Sequence, residues 1–213
     1  MKILILTLAD EPYWPIARIS NPNKAAYAAR HGYDFRAYSH SNDTRRPTSW
    51  SKLQLVANAL EEYDWVFWTD ADSLIMNSEM PLEYIIDKYA DMIAAADENG
   101  LNTGQFLASP RAFDILIQAD VKDEEFMHHP WWEQAAIHAV LKENPQYRVK
   151  VVDQSKLNRL VPSGPEHNTF EKMVNQVDSV WKRGDFILHF SGIGGERAPL
   201  RLALMEDYLE CAR

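Results

Sequence analysis

Asp70-Ala71-Asp72 is the densest chemical signal in the chain, because it directly follows the continuous apolar run Trp65-Val66-Phe67-Trp68-Thr69. Two carboxylates one residue apart at a strand end project to the same side when the backbone stays extended. Held together they repel, and an oxygen-ligand cation such as Mn2+ or Mg2+ relieves that repulsion. Such a cation can bridge to a diphosphate and neutralise the charge on it as it leaves. The alternative is a solvated acidic turn, since a bare Asp-x-Asp is short and common. The apolar strand before it strengthens the functional reading.

Other segments carry weaker signals of the same kind. His189 lies near the end of a second apolar run, Phe186 to Phe190, where a histidine is commonly a hydrogen-bonded core residue. The segment after it, Ser191-Gly192-Ile193-Gly194-Gly195-Glu196-Arg197, places three of the chain's 8 glycines in four residues. Such a turn can bring the backbone N–H groups at Gly192 and Gly194 close to a phosphate, with Arg197 as a further cation. A plain flexible turn before the last helix is the alternative. Asn102-Thr103-Gly104 precedes a strand, and Trp131-Trp132-Glu133-Gln134 opens a helix. The tryptophans can stack on a sugar ring, while Glu133 and Gln134 could touch its reacting carbon or hydroxyls. Equally, they read as two core tryptophans plus an acidic residue favourable at a helix start. His128-His129 has no third ligand at a metal-site spacing and reads as loop. Arg45-Arg46 could clamp a phosphate or simply be solvated.

These residues need a frame that delivers them to one place. Met1 to Leu8 reads as a buried first strand, and Pro22 to His31 as a helix capped by Asn21 and stopped by Gly32. Tyr33 to Tyr38 reads as a second strand. His40 to Ser49 has no aliphatic or aromatic residue and is a surface loop. From Ser49 a helix places Leu53, Val56, Leu60 and Tyr63 on one face. Further strands are expected at Trp65 to Thr69, Met92 to Ala96, Gln105 to Ala108, Arg148 to Val152 and Phe186 to Phe190. Helices are expected at Leu82 to Tyr89, Arg111 to Ala119, Trp132 to Lys142 and Pro199 to Leu209, with Asp153 to Phe170 a long loop. Strands alternating with helices predict an α/β domain with a largely parallel sheet. Ligands in such folds sit beyond the carboxyl ends of the strands, where Asp70 to Asp72 falls.

Composition narrows the function classes. Among 213 residues, 22 Lys+Arg face 31 Asp+Glu, a formal charge of −9, which argues against a general nucleic-acid binder. The single cysteine, Cys211, excludes an intramolecular disulfide and a multi-cysteine zinc knuckle. The apolar start Ile3 to Ala9 stops at Asp10-Glu11 without a small-x-small cleavage pattern, so it reads as a strand rather than a leader. No run approaches the ~18 apolar residues that cross a bilayer. The expectation is a soluble, cytoplasmic protein, either whole or one domain of a longer one.

In order along the chain, the segments resemble the retaining glycosyltransferases of family 34, the yeast α-galactosyl- and α-mannosyltransferases and plant xyloglucan xylosyltransferases. Asn23-Lys24, Tyr27 and His31-Gly32-Tyr33-Asp34 resemble its "NK…Y…HGYD" segment, and Trp50-Ser51-Lys52-Leu53 its "WxKL" helix. Trp68 to Leu74 is similar to the metal-binding "W-x-D-[AS]-D-[AS]-L" strand end, and Leu101 to Leu107 to "LNTGxFL". Glu133-Gln134 stands at the family's "DQ", and His189-Phe190-Ser191-Gly192 matches "HFxG". Two positions depart: Glu133 replaces the usual Asp, and Ile193 to Arg197 replaces a cysteine- and lysine-containing tail. The family's eukaryotic members carry an N-terminal membrane anchor with no counterpart in this reading.

The resemblance implies a GT-A fold, a Rossmann-like mixed sheet flanked by helices in one catalytic domain. Its nucleotide-binding half would span about 1–110 and its acceptor-binding half about 111–213. It implies a nucleotide-sugar donor, usually UDP-linked, and a glycan or glycoprotein acceptor. Mn2+ would be held by Asp70, Asp72 and His189. Thr7, Leu8, Ala9 and Asp10 would meet the nucleoside beside Ala71, with Lys52 and Arg197 near the phosphates. Asn102, Glu133 and Gln134 would surround the sugar and acceptor. Retention would follow from front-face attack or from a covalent intermediate on Glu133. Rival readings are a haloacid-dehalogenase-like phosphatase using Asp70 and Asp72, or a non-catalytic sugar-binding module. The phosphatase fold normally places its nucleophile strand near the N-terminus and an acidic pair at a fourth strand, and neither is evident. A sugar nucleotidyltransferase would need a G-x-G-T-R loop that Leu6 to Pro12 lacks.

Overall fold

A computed structural model describes residues 1–41, 43–161 and 180–212. The apolar runs form strands that are covered on both faces. In β1 (Ile3–Leu8) all six residues are buried, as are the five of β3 (Trp65–Thr69). Alternation then divides each strand between two cores. Leu4, Leu6, Val66, Trp68, Met92, Ala94 and Phe106 enter one, while Ile3, Ile5, Trp65, Phe67, Ile93, Ala95 and Leu107 enter the other. A run with no polar alternation is therefore a strand whose odd and even side chains are both buried.

The main sheet has six strands: β1, β2 (Asp34–Tyr38), β3, β5 (Met92–Asp97), β6 (Gly100–Ala108) and β7 (Val149–Val152), in the order β2-β1-β3-β6-β5-β7. All pairs are parallel except those that β6 makes with β3 and β5. The sheet is thus mixed and mostly parallel, as expected. On one face lie α2 (Ser51–Ala59), α3 (Phe113–Asp120) and α5 (Trp132–Glu143), through Leu53, Val56, Ile115, Leu116, Ile137 and Val140. The other face is covered by α1 (Trp14–His31) through Tyr27 and Ala28, and by Leu82, Ile85 and Phe186. Short helices α4 (Asp123–Phe126) and α6 (Gln154–Leu157) fill connections, and α7 (Ala198–Leu209) is the last described helix. No described helix is long and apolar enough to cross a membrane.

A second, three-stranded sheet, β4-β9-β8, decides where the chemistry meets. It contains β4 (Ser73–Ile75), β8 (Arg159–Leu160) and β9 (Ile187–His189). Antiparallel pairing of β4 with β9 sets Ser73 opposite His189, and the Phe190 amide donates to the Asp72 carbonyl at 2.8 Å. A third apolar cluster beneath it joins Leu74, Leu188 and Phe190 to Ile16 and Ala17 of α1 and Met205 of α7.

The structure corrects several expectations. Helix α1 starts at Trp14, runs through Pro22 and is not capped by Asn21. A helix-interior proline costs roughly 3 kcal/mol, but Ile16, Ala17, Ser20, Lys24, Tyr27 and Ala28 form one buried stripe that offsets it. The expected helix Leu82 to Tyr89 shrinks to a 3-10 turn at Leu82–Tyr84. The helix after the polar loop opens as a 3-10 turn at Thr48–Trp50, and Tyr63 lies beyond its end, although still in the core. Strand β6 starts at Gly100, ahead of the expected Gln105, and β4 has no counterpart among the expected strands. The expected loop from Asp153 contains α6 and β8, and its portion 162–170 lies outside the described residues.

Candidate active site

The carboxyl ends of β1 and β3 point the same way, and β6, running in reverse, brings its first half beside them. The Asp70 amide donates to the Gly104 carbonyl at 2.8 Å, which locks the Asp70 turn against Asn102-Thr103-Gly104. Above this seam opens a cleft of about 730 Å³.

Asp70, Asp72 and His189 converge on its wall, each offering one ligand atom within 4.8 Å of the others. Nε2 of His189 lies 3.4 Å from Oδ1 of Asp72. Nδ1 of His189 donates to Oδ1 of Asn158 at 2.9 Å, which orients the ring with Nε2 toward the carboxylates. Two carboxylate oxygens and one imidazole nitrogen, with the second ring nitrogen held by an amide, are a donor set that suits Mn2+ and tolerates Mg2+. The space is kept open by Gly104. A Cβ there would stand 2.5 Å from Cε1 of His189 and 3.2 Å from Oδ2 of Asp70.

Buried cations surround the carboxylates. Nζ of Lys52 bonds Oδ1 of Asp70 at 3.1 Å, Oε1 of Glu133 at 2.8 Å and the Thr103 carbonyl at 3.2 Å. Burial alone would lower the Lys52 pKa, but Asp70 and Glu133 outweigh it and hold the ammonium protonated. Nζ of Lys24 donates to the Asp70 carbonyl at 2.7 Å. Burial pushes its pKa down to about 7 against the attraction of Asp72 and Asp70. Nη1 of Arg201 bonds Oδ2 of Asp72 at 2.9 Å. Burial would raise the Asp72 carboxyl, yet His189, Arg201 and Lys24 together hold it well below the ordinary carboxylate range.

Most residues singled out in the sequence are brought together here. Leu8, Ala9, Asp10, Lys52, Asp70, Ala71, Asp72, Asn102, Glu133, Gln134, His189, Gly192 and Gly194 all line the cleft. Asn102 donates to Asp97 and accepts from the Gly104 amide, and Gln134 accepts from the Thr103 amide. Thr7 is buried behind the wall, and Arg197 is not among the lining residues. Trp131 and Trp132 are not core residues: they line the cleft and are 41 % and 43 % exposed. Arg45 and Arg46 pair with Asp43, and Arg46 also with Asp120, away from the cleft. Arg201, Asn158 and Tyr13 belong to the site without standing in any of the motifs. Arg201 alone leaves a trace in the sequence, as an isolated charge in the apolar segment Pro199-Leu200-Arg201-Leu202.

Residues 2–91 match the galactosyl transferase GMA12/MNN10 family. This chain is similar to that family over these residues. An uncharacterized alpha-1,2-galactosyltransferase of Schizosaccharomyces pombe is 34 % identical over 86 % of this chain and 58 % of its own length. The probable alpha-1,6-mannosyltransferase MNN10 of Saccharomyces cerevisiae is 25 % identical over 69 % of this chain and 48 % of its own. The chain thus spans only about half the length of these two curated relatives. Among solved structures, a glycosyltransferase involved in glycosylation of the major capsid of PBCV-1 superposes with a TM-score of 0.73. The match covers 97 % of this chain and 100 % of that one at 20 % identity. The fold is therefore GT-A. Nothing in these likenesses supports the phosphatase or the non-catalytic sugar-binding reading.

Proposed function

We propose that the chain is a single GT-A catalytic domain that moves a sugar from a nucleotide-sugar donor to a hydroxyl of a glycan acceptor, retaining the anomeric configuration. We take the donor to be UDP-linked and the metal to be Mn2+ or Mg2+. The observation that carries this reading is the convergence of Asp70, Asp72 and Nε2 of His189 on one wall of the cleft. A divalent cation held by these three residues would neutralise charge on the departing diphosphate. Leu8, Ala9 and Asp10, at the end of β1, would meet the nucleoside, with Thr7 supporting them from behind. The backbone at Gly192 and Gly194 would approach the phosphates, with Arg197 nearby. Asn102, Glu133 and Gln134 would surround the transferred sugar, and residues 111–213 would supply most of the acceptor side.

The geometry of Glu133 favours front-face attack over a covalent intermediate. The residue is only 4 % exposed, and Oε1 is engaged by Lys52 at 2.8 Å. A nucleophile must present a free lone pair to the anomeric carbon, and the bond to Lys52 draws electron density from this carboxylate and fixes Oε1 in place. In front-face attack the leaving phosphate oxygen takes the acceptor's proton, and Glu133 with Lys52 positions the sugar. The test is release of UDP from UDP-galactose, UDP-glucose and UDP-xylose, with GDP-mannose as comparison, in Mn2+ and in chelator. Metal-dependent release that is lost in Asp72→Asn supports the transferase. Hydrolysis of p-nitrophenyl phosphate with no nucleotide-sugar turnover overturns it. A glycosyl adduct on Glu133 in a mass spectrum would replace front-face attack by the covalent route.

A further inference from the structure

Arg201 enters the cleft from the first turn of α7 and is 5 % exposed. Its guanidinium lies 4.8 Å from the centre of the Tyr13 ring, and Nη1 bonds Oδ2 of Asp72 at 2.9 Å. Its Nε is buried with no partner among the described residues. A guanidinium carries five N–H donors in a planar fork, and leaving them unmatched in a buried site is costly. Here they face a cleft in which the buried lysines are already engaged. Lys52 bonds Asp70, Glu133 and the Thr103 carbonyl, and Lys24 bonds the Asp70 carbonyl.

Lys52 pairs with Asp70 and Glu133, Arg201 pairs with Asp72, and Lys24 sits on the Asp70 carbonyl, so each of these three carboxylates already has a built-in cationic partner. A divalent ion therefore meets a weakened attraction from these carboxylates, and Arg201 competes with it for Asp72. A diphosphate reverses that situation, because it supplies negative charge and oxygen acceptors that suit an arginine fork.

We propose that Arg201 couples metal binding to diphosphate binding, compensating Asp72 before ligands arrive and turning its unused donors to the diphosphate when nucleotide enters. This rests on the nucleotide-donor reading above. It makes Arg201 a positioning and binding residue for which Arg197, outside the cleft wall, is no substitute.

Calorimetry on the full chain with Mn2+, UDP and uridine tests it, comparing wild type with Arg201→Gln and Arg201→Lys. In wild type, UDP should tighten Mn2+ binding and uridine should not. Arg201→Gln should bind Mn2+ alone more tightly than wild type, yet bind UDP in Mn2+ about tenfold more weakly, as expected for losing a charge-assisted fork. Its affinity for uridine, measured by competition, should stay unchanged. Arg201→Lys, which keeps the charge and loses the fork, should fall between the two. Wild-type UDP affinity in Arg201→Gln overturns the inference alone. If that variant does not fold by circular dichroism, equal tightening of Mn2+ by UDP and by uridine in wild type overturns it. Absence of UDP binding to wild type in Mn2+ removes the donor reading instead, and this inference with it.

Discussion

Gly104 is required by space rather than by backbone angle, because a Cβ on this β6 residue would enter the His189 ring at 2.5 Å. The ring cannot swing away without losing Asn158, so Gly104→Ala should displace His189, which the proposed function makes a metal ligand. We expect Mn2+ affinity to fall by about tenfold or more, measured by electron paramagnetic resonance. Asn158→Ala releases the same ring from behind, and losses of roughly 10–100-fold in metal affinity are typical of such changes. An unchanged Mn2+ affinity in both variants would remove His189 from the metal site. Asp70, Asp72, His189, Lys52, Glu133 and Gln134 can all be picked out of the sequence, because each sits in a motif beside an apolar strand or at a helix start. Arg201 stands in no motif: it is 129 positions from Asp72, and a lone charge in an apolar helix is its one trace in the sequence.

At the scale of elements, α1 is a clamp on the Asp70–Asp72 turn rather than a spacer between strands. Asn23 donates to the Ile75 carbonyl at 2.9 Å and accepts from the Ile75 amide at 2.8 Å, so its side chain pairs with β4 as another strand would. Lys24 holds the Asp70 carbonyl, Tyr27 donates to the Met80 carbonyl and His31 bonds the Ser78 carbonyl. Side chains of one helix thus fix the backbone from residue 70 to residue 80. Asn23→Ala strands two backbone groups and should cost about 1–3 kcal/mol in urea denaturation, with weaker Mn2+ binding. A loss in stability with unchanged Mn2+ affinity would separate the clamp from the metal site. The helix ends at Gly32, whose φ is 70, and a Cβ there would meet no other atom within 4 Å. Gly32→Ala should therefore cost only the left-handed backbone penalty, about 1–2 kcal/mol, and leave metal binding intact. Asn21-Pro22 is a strong local signal for a helix start, yet the helix begins a full two turns earlier. Its buried stripe, Ile16 to Ala28, gains stability only from partners distant in sequence.

Across the whole molecule, the core on the α1 face of the main sheet holds an aromatic cluster of Tyr27, Tyr33, Phe67 and Phe186, with consequences for stability at high pH. Burial raises the pKa of Tyr27, and burial with the Glu83 hydrogen bond raises that of Tyr33, both above the ordinary tyrosine value. A raised folded-state pKa means the native protein keeps a proton that the unfolded chain releases near pH 10. Stability is then full below about pH 10 and falls as pH rises, by up to about 1.4 kcal/mol per pH unit for Tyr27 and by less for the more exposed Tyr33. Urea midpoints should drop between about pH 10 and 11, and Tyr33→Phe should make that drop shallower. A flat profile would contradict the burial of Tyr27 and the Tyr33–Glu83 hydrogen bond. Hydrophobic period and short motifs, read locally, suffice for the strands of the main sheet, their burial on both faces and most of the ligand candidates. Neighbouring residues set those features, so they need no knowledge of the fold. The pairing of β4 with β9, the grip of α1 on residues 70–80 and the reach of Arg201 to Asp72 come from three-dimensional closure. Each of those contacts is a side chain or strand edge meeting a partner far along the chain, and its free energy appears only once both cores have closed.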